Sequence, residues 1–371
     1  MLPAIGCFSA EHHPMARPRL VIDLDAVAAN WRALDALSDP AVETAAVVKA
    51  DGYGLGAAPV ATALAAAGAR TFFVATAEEG AALREVLGPR PTILDFGGLM
   101  RGDADLIRRH DLVPCLDSRG QVEAFAREIP AGHPFALQLN SGMNRLGLDA
   151  ADLAAVAERL PGRAQVLTMS HLACADEPAH PMNARQAETF ADLAARLPGA
   201  RLSLAATGGI LLGPRFHFDL VRPGVGLYGG LPFAAARPVV SLALPVIQVR
   251  DLPPGAPVGY GAAWTTRRPS RIATVAAGYA DGLHRALGQG IVKLFAGDIP
   301  CPLVGRVSRD LITVDVTDAG DVPDALTVLD QRQTVDDLAA AAGTIGYEIL
   351  TSLGARYERV YKGSAQPPER P

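Results

Sequence analysis

This 371-residue sequence predicts an α/β architecture followed by an all-β one, a (β/α)8 barrel leading into a mostly β-strand domain. Three observations carry that expectation. Eight short apolar runs alternate with alanine- and leucine-rich stretches at helical spacing, and parallel strands need crossovers of that kind. Polar residues fall at the ends of five runs, where a barrel builds its reactive face. Beyond Pro238 the texture changes to β-branched runs cut by Pro, Gly and Asp.

After the opening RLVIDLDAVAANWRAL, the strand-like runs are TAAVVKA, TFFVATA, PTILDFG, DLVPCLD, FALQLN, AQVLTMSHLA, RLSLAAT and LVRPGVGLYG. Between them lie helical stretches such as AAPVATALAAAGA, AEEGAALREVLG, SRGQVEAFAREI, AADLAAVAERL and NARQAETFADLAARL, whose charged faces suit the outside of a barrel. Eight such units over roughly 200 residues fit a closed, TIM-like barrel better than the runner-up, an open doubly wound sheet. From residue 238 the runs PVVSLALPVIQVRDL, RIATVAAGYADG, GIVKLFAGDIPCPLVGRVSRDLITVDVTD and ALTVLD read as strands, with no long helix until TVDDLAAAAGTI. The expected division is a flexible N-terminal tail over 1–16, a barrel over 17–238 and a β domain over 239–371.

Composition narrows the function. A hydrophobic content of 49% with 20% charged residues reads as globular, and a net charge of −5 offers no footprint for nucleic acid. No basic run suggests a membrane surface, and no apolar run approaches the roughly 18–20 residues that cross a bilayer. The first residues lack a basic n-region, and Pro3 and Gly6 break their apolar stretch, which argues against a secretory signal. Cys7, Cys115, Cys174 and Cys301 are scattered without CxxC pairing, as suits reduced thiols in a cytoplasm. His12, His13, His110, His133 and His180 show no ligand spacing, so no metal is expected. Trp31, Trp264, Tyr347, Tyr361 and His217 read as packing or structural residues.

Chemistry gathers at the strand ends. Lys49 closes the first run, Arg145 follows the fifth, His171 ends the sixth, Thr207 the seventh, and Arg222 lies in the eighth. ATGGIL offers a hydroxyl and glycine amides at a helix start, and RPGVG sets the Gly224 and Val225 amides beside Arg222. Adjacent phosphate loops after strands seven and eight are the usual barrel arrangement. A lysine facing them across the mouth suggests a pyridoxal 5'-phosphate Schiff base.

With those residues in place, the chain resembles the alanine racemases, pyridoxal-phosphate enzymes of fold type III. VVKADGYGLG is close to that family's cofactor-lysine signature. SGMNRLG, SHLACAD, HFDLVRPGVGLYG, VGYGAAW, GYADG and VGRVSRDLITVDVT follow in the family's order, covering the chain from about Arg17 to Tyr361. The resemblance implies an isomerase interconverting L- and D-alanine, either for cell-wall D-alanine or for alanine catabolism. Lys49 would anchor the cofactor and act as one catalytic base. Tyr260, from the second domain of a partner in a homodimer, would be the other. Tyr53, Thr207, Gly224 and Val225 would bind the phosphate. Arg222 would meet the pyridine nitrogen, with His171 near the ring and linked to Arg222. Arg145 would support the phenolic oxygen and the substrate carboxylate, and Arg309, Asp310 and Tyr279 would approach the substrate from the partner.

Two bases must flank the ring, because inversion removes a proton on one face and supplies one on the other. Burial lowers a lysine's pKa but raises a tyrosine's, so Tyr260 needs positive neighbours, with Arg222, Arg145 and a cationic or polar His171 as candidates. An arginine at the pyridine nitrogen cannot hand over its proton, which limits electron withdrawal and suppresses transamination.

Four positions depart from the family pattern. Gln138 stands where some racemases carry a carbamylated lysine, so an amide or chloride would have to support Arg145. Thr207 replaces a serine, Ala355 a phosphate-binding tyrosine, and Arg309 a methionine. Arg309 motivates one alternative, a broader-specificity or serine-preferring racemase. The non-enzyme alternative is a pyridoxal-phosphate carrier, which would need neither a second domain nor Tyr260.

Overall fold

The eight alternating runs fold as short parallel strands, each followed by a helix or helical turn. The computed structural model describes residues 17–156, 159–160, 164–197, 199–288 and 290–363, so the tail expected over 1–16, with Cys7, His12 and His13, lies outside the described residues. These residues form two units, each compact by itself.

The barrel unit comprises residues 22–240 with 345–351 and the segment from 361. Seven strands pair in sequence order: Ala46–Val47, Thr71–Val74, Thr92–Asp95, Val113–Leu116, Phe135–Gln138, Gln165–Met169 and Arg201–Ser203. The eighth, Leu220–Val221, pairs in parallel with Glu43–Thr44. It closes the ring, because Ala45 N donates to Val221 O (2.9 Å) while Arg222 N donates to Ala205 O (2.8 Å). The strands Thr71–Val74, Val113–Leu116 and Phe135–Gln138 are buried along their whole length, which is why their sequences run apolar without alternating.

Helix starts follow local capping chemistry. Thr76 caps Ala77–Leu87 and Ser118 caps Arg119–Glu128, each hydroxyl accepting from the amide three residues on. In Leu24–Asp35, buried Trp31 donates from Nε1 to Ala45 O at 3.2 Å, pinning the break in the first barrel strand. His217 is buried with Nε2 2.9 Å from Ile210 O, the placing role its sequence context suggests.

The β unit comprises residues up to Val21 with 241–344 and 352–360. Its sheet runs Ser270–Val275, Ile312–Asp315, Ile299–Val304, Lys293–Ala296, Ala325–Leu329 and Val240–Leu252. The long last strand pairs with Ala325–Leu329 over its first half and with Ser270–Val275 over its second, the register shifting between Val246 and Gln248. A bulge of this kind bends a strand, and here it closes the sheet on itself. Val258, Ile272 and Val304 form one core cluster, with Trp264 packed against it.

Residues 345–351 cluster with the barrel unit, where the ring of Tyr347 lies 6.1 Å from that of Tyr53, centroid to centroid.

Candidate active site

Lys49 emerges at the end of the first barrel strand on an unusual turn. Ala50, Asp51, Gly52 and Tyr53 all have positive φ, between 52° and 61°, making one left-handed turn. Residues other than glycine pay roughly 1–2 kcal/mol each for that conformation, so the turn needs support. Gly52 N donates to Val48 O (2.9 Å), Gly54 N to Ala50 O (2.8 Å), and Ala57 N to Asp51 Oδ1 (2.7 Å). The turn carries Tyr53 onto the face of Tyr228, ring centroids 4.5 Å apart. There its hydroxyl lies where a Cβ on Gly224 would stand, so only glycine fits at 224.

A cavity of about 350 Å³ opens in the barrel unit, lined by Lys49, Tyr53, Arg145, His171, Thr207, Arg222, Gly224 and Val225. Every barrel residue that the sequence marks as functional thus meets the others in one place. Thr207 Oγ1 accepts from Gly224 N (3.1 Å) and Gly226 N (3.3 Å), which spends its acceptor capacity and leaves its O–H free to donate. The Gly224 amide expected to serve a phosphate directly is therefore committed to Thr207. Arg222 is buried and donates to Ser203 Oγ, Ser170 O (2.6 Å) and Leu204 O (3.5 Å), with no carboxylate partner among the described residues.

Burial sets the protonation states. Desolvation and the nearby Arg145 lower the pKa of Lys49, against an opposing pull from Glu79. His171 is pushed down to about 3 by burial, then by Arg222, Arg145 and Lys49. It is therefore neutral, and the cationic His171 offered from sequence is corrected. Among the described residues no hydrogen bond joins it to Arg222, whose charge pushes its pKa down instead. Burial lowers Arg222 to about 10, still charged at neutral pH. Burial, and secondarily Tyr347, raise Tyr53, keeping its phenol a neutral donor.

Phe96 and Tyr347 are among the lining residues that the sequence reading missed. Phe96 lies under Lys49, with Nζ 5.7 Å from the ring centroid. It follows the strand Thr92–Asp95, but a rule that marks polar residues at strand ends passes over an aromatic one. Tyr347, read as structural, also lines the cavity. No local pattern marks it, because it returns to the barrel from beyond the β-strand region.

Tyr260, Tyr279, Arg309 and Asp310 belong to the β unit. Tyr260 is 72% exposed there. Tyr279 N donates to Ser308 O (3.0 Å), and a Cβ on Gly278 would run into the Arg309 carbonyl, locking the GYADG turn to the SRD segment. Tyr279 beside the Arg309 guanidinium, with Asp310 and Tyr260, holds that group above its usual pKa. Arg356 grips Asp281 with Nε and Nη2 (2.7 Å for Nη2) and Asp310 with Nη1 (2.8 Å).

The cavity suits pyridoxal phosphate. Among its lining residues Lys49, Arg145 and Arg222 outweigh one carboxylate, Asp176, and the Tyr53 and Thr207 hydroxyls flank the close-approach glycine at 224.

The family model for the alanine racemase N-terminal domain matches residues 22–232, and that for the C-terminal domain matches 239–361. This chain belongs to the alanine racemase family. It is 60% identical to an alanine racemase of Cereibacter sphaeroides over 349 residues, covering 94% of this chain and 99% of that one. It is 44% identical to one from Rhizobium meliloti, covering 94% and 98%. Among solved structures, the alanine racemase of Bartonella henselae, described as holding covalently bound pyridoxal phosphate, superposes with a TM-score of 0.88 at 36% identity, covering 94% of this chain and all of that one. The biosynthetic alanine racemase of Pseudomonas aeruginosa matches with the same score, identity and coverage. Membership of the alanine racemase family agrees with the barrel and the β-rich C-terminal region. Among the described residues no helix is long and apolar enough to cross a membrane, and Cys115, Cys174 and Cys301 are free thiols.

Proposed function

We propose that this chain interconverts L-alanine and D-alanine with pyridoxal phosphate as cofactor, supplying D-alanine for cell-wall peptidoglycan or opening alanine to catabolism. The observation that carries the reading is one cavity holding both Lys49 and a buried Arg222 whose partners are neutral oxygens. Lys49 would hold the cofactor covalently through Nζ. Tyr53, the Thr207 hydroxyl and the Val225 amide would hold its phosphate, with Gly224 leaving room for close approach. Pyridoxal phosphate, when bound, delocalises the electron pair left as alanine's α-proton departs.

The protein moves the protons. Once its Nζ is free of the cofactor, Lys49 would act there as base on one face of the substrate, helped by a lowered pKa that leaves more neutral amine at working pH. Tyr260 acts at its phenolic oxygen on the opposite face, supplied by a second copy of the chain. Arg222 keeps its proton, so it would offer a bound pyridine nitrogen a hydrogen-bond donor and not an acid. Neutral His171 orients by hydrogen bonding, and Arg145 receives the substrate carboxylate. Asp310 and Tyr279 shape the mouth from the partner, and Arg309 sets its charge. We place this homodimer in the cytoplasm, in keeping with its unpaired thiols.

The test is direct. Purified protein with pyridoxal phosphate should show the cofactor's absorbance band and equilibrate L- and D-alanine. Lys49→Ala should lose both. A protein that binds the cofactor through Lys49 but leaves alanine enantiomers untouched would instead be a carrier.

A further inference from the structure

We propose that Glu79 is the positioning residue of Lys49: its carboxylate bridges the loops after the first two barrel strands and fixes the left-handed turn that carries the lysine. The inference rests on the reading of Lys49 as the cofactor anchor. Glu79 Oε1 accepts from Ala50 N at 2.8 Å, and Oε2 accepts from Ala75 N at 2.8 Å. Ala50 directly follows Lys49 and is the first residue of the turn with positive φ. Ala75 directly follows Thr71–Val74, the strand paired with Ala46–Val47. Glu79 is itself held, because its amide donates to Thr76 Oγ1 (3.3 Å) at the start of its helix.

The bridge needs a carboxylate. Both partners are N–H donors, so the side chain must present two acceptors. Glutamine offers one acceptor and one donor, and aspartate is a methylene short. Position also matters, since a negative group in a helix's first turn is favoured by the peptide dipoles.

The charge has a second consequence. The groups acting on the Lys49 amine are Arg145 and Glu79, with His171 close to it and Phe96 below. Arg145 drives the amine toward neutrality, whereas Glu79 opposes it. Glu79 thus sets both the direction in which the lysine leaves its strand and how readily it deprotonates.

The experiment uses apoprotein of wild type, Glu79→Gln and Glu79→Asp. Trinitrobenzenesulfonate labelling of Lys49 against pH, read by peptide mass spectrometry, gives the amine's titration midpoint. Uptake of pyridoxal phosphate, followed by absorbance, gives the rate of capture. Glu79→Gln should lower the midpoint by about half a pH unit or more and slow capture about tenfold. Glu79→Asp, which keeps the charge, should leave the midpoint near wild type while still slowing capture. Capture within about twofold of wild type and an unmoved midpoint in Glu79→Gln would overturn the proposal. A lower melting temperature with an unmoved midpoint would make Glu79 merely structural and overturn it too. Failure of wild type itself to take up the cofactor would sink the reading of Lys49 as anchor. The labelling midpoints would still test the clamp.

Discussion

Arg222 donates to the Ser170 carbonyl at 2.6 Å from inside the barrel, and among the described residues no acid answers its charge. Arg222→Ala would strand two buried carbonyls, Ser170 O and Leu204 O, each costing about 1–3 kcal/mol if left dry, while the Ser203 hydroxyl keeps its bond to Leu220 O. Water entering from the cavity offsets part of that, so the expected loss is about 2–4 kcal/mol in urea unfolding. Arg222→Lys should keep the charge, lose the fork and bind pyridoxal phosphate about tenfold more weakly by absorbance titration.

Lys49 and Tyr260 are proposed to meet across two copies of the chain, and that has a quantitative signature. Lys49→Ala and Tyr260→Phe should each be nearly inactive alone. Mixed in equal amounts and allowed to exchange, half the dimers carry one variant of each kind, with one intact site of two. About one quarter of wild-type racemase activity should return. No recovery in a mixture shown to exchange subunits would place both bases in one chain.

His171 should stay neutral down to about pH 4, since its folded pKa is about 3. Nitrogen NMR of the imidazole checks this. The unfolded chain protonates this histidine near pH 6.5, so the His171 contribution to stability falls as pH drops from about 6.5 toward 3, by at most ~1.4 kcal/mol per pH unit. His171→Gln should flatten that part of the stability curve.

Asp95 ends a barrel strand, fully buried, with Oδ1 accepting from Gly97 N (2.8 Å) and Oδ2 without a partner. Burial, followed by the Asp103, Glu78 and Glu79 carboxylates, raises its pKa to about 7. The folded state holds its proton, so the Asp95 contribution to stability is fully present at acid pH and is lost as pH rises from about 4 toward 7. Asp95→Asn keeps the Gly97 bond and removes the charge. It should raise the melting temperature at pH 8 and leave it unchanged at pH 4.

Arg309 stands beside Tyr279 and Asp310 at the segment proposed to meet the substrate. A fixed cation there should repel lysine and arginine as substrates. Arg309→Met should hold kcat/KM for alanine within about threefold and raise that for lysine about tenfold, with the gap narrowing in 0.5 M salt. Fast turnover of long cationic side chains by wild type would refute the alanine preference.

The barrel was legible because its signal is local. Strands such as Thr71–Val74 and Val113–Leu116 are continuous buried runs, and helices such as Ala77–Leu87 and Arg119–Glu128 begin at the caps Thr76 and Ser118. Lys49, Arg145, His171, Thr207 and Arg222 could be assigned to one mouth because every parallel strand of a closed barrel ends on the same face. Tyr347 could not, since nothing around it in the chain signals a return to the barrel.

The sequence by itself determined the alternation of strands and helices, the residue type at each strand end and the order of the motifs, because those depend on neighbours in the chain. Only the tertiary structure decided that His171 is neutral, that the Gly224 amide belongs to Thr207, that Arg222 lacks a carboxylate partner among the described residues and that Glu79 clamps the turn after Lys49. Those properties come from desolvation and from hydrogen bonds between residues up to 52 apart in the chain, as in Arg222 with Ser170. Neither exists until the ring of strands has closed.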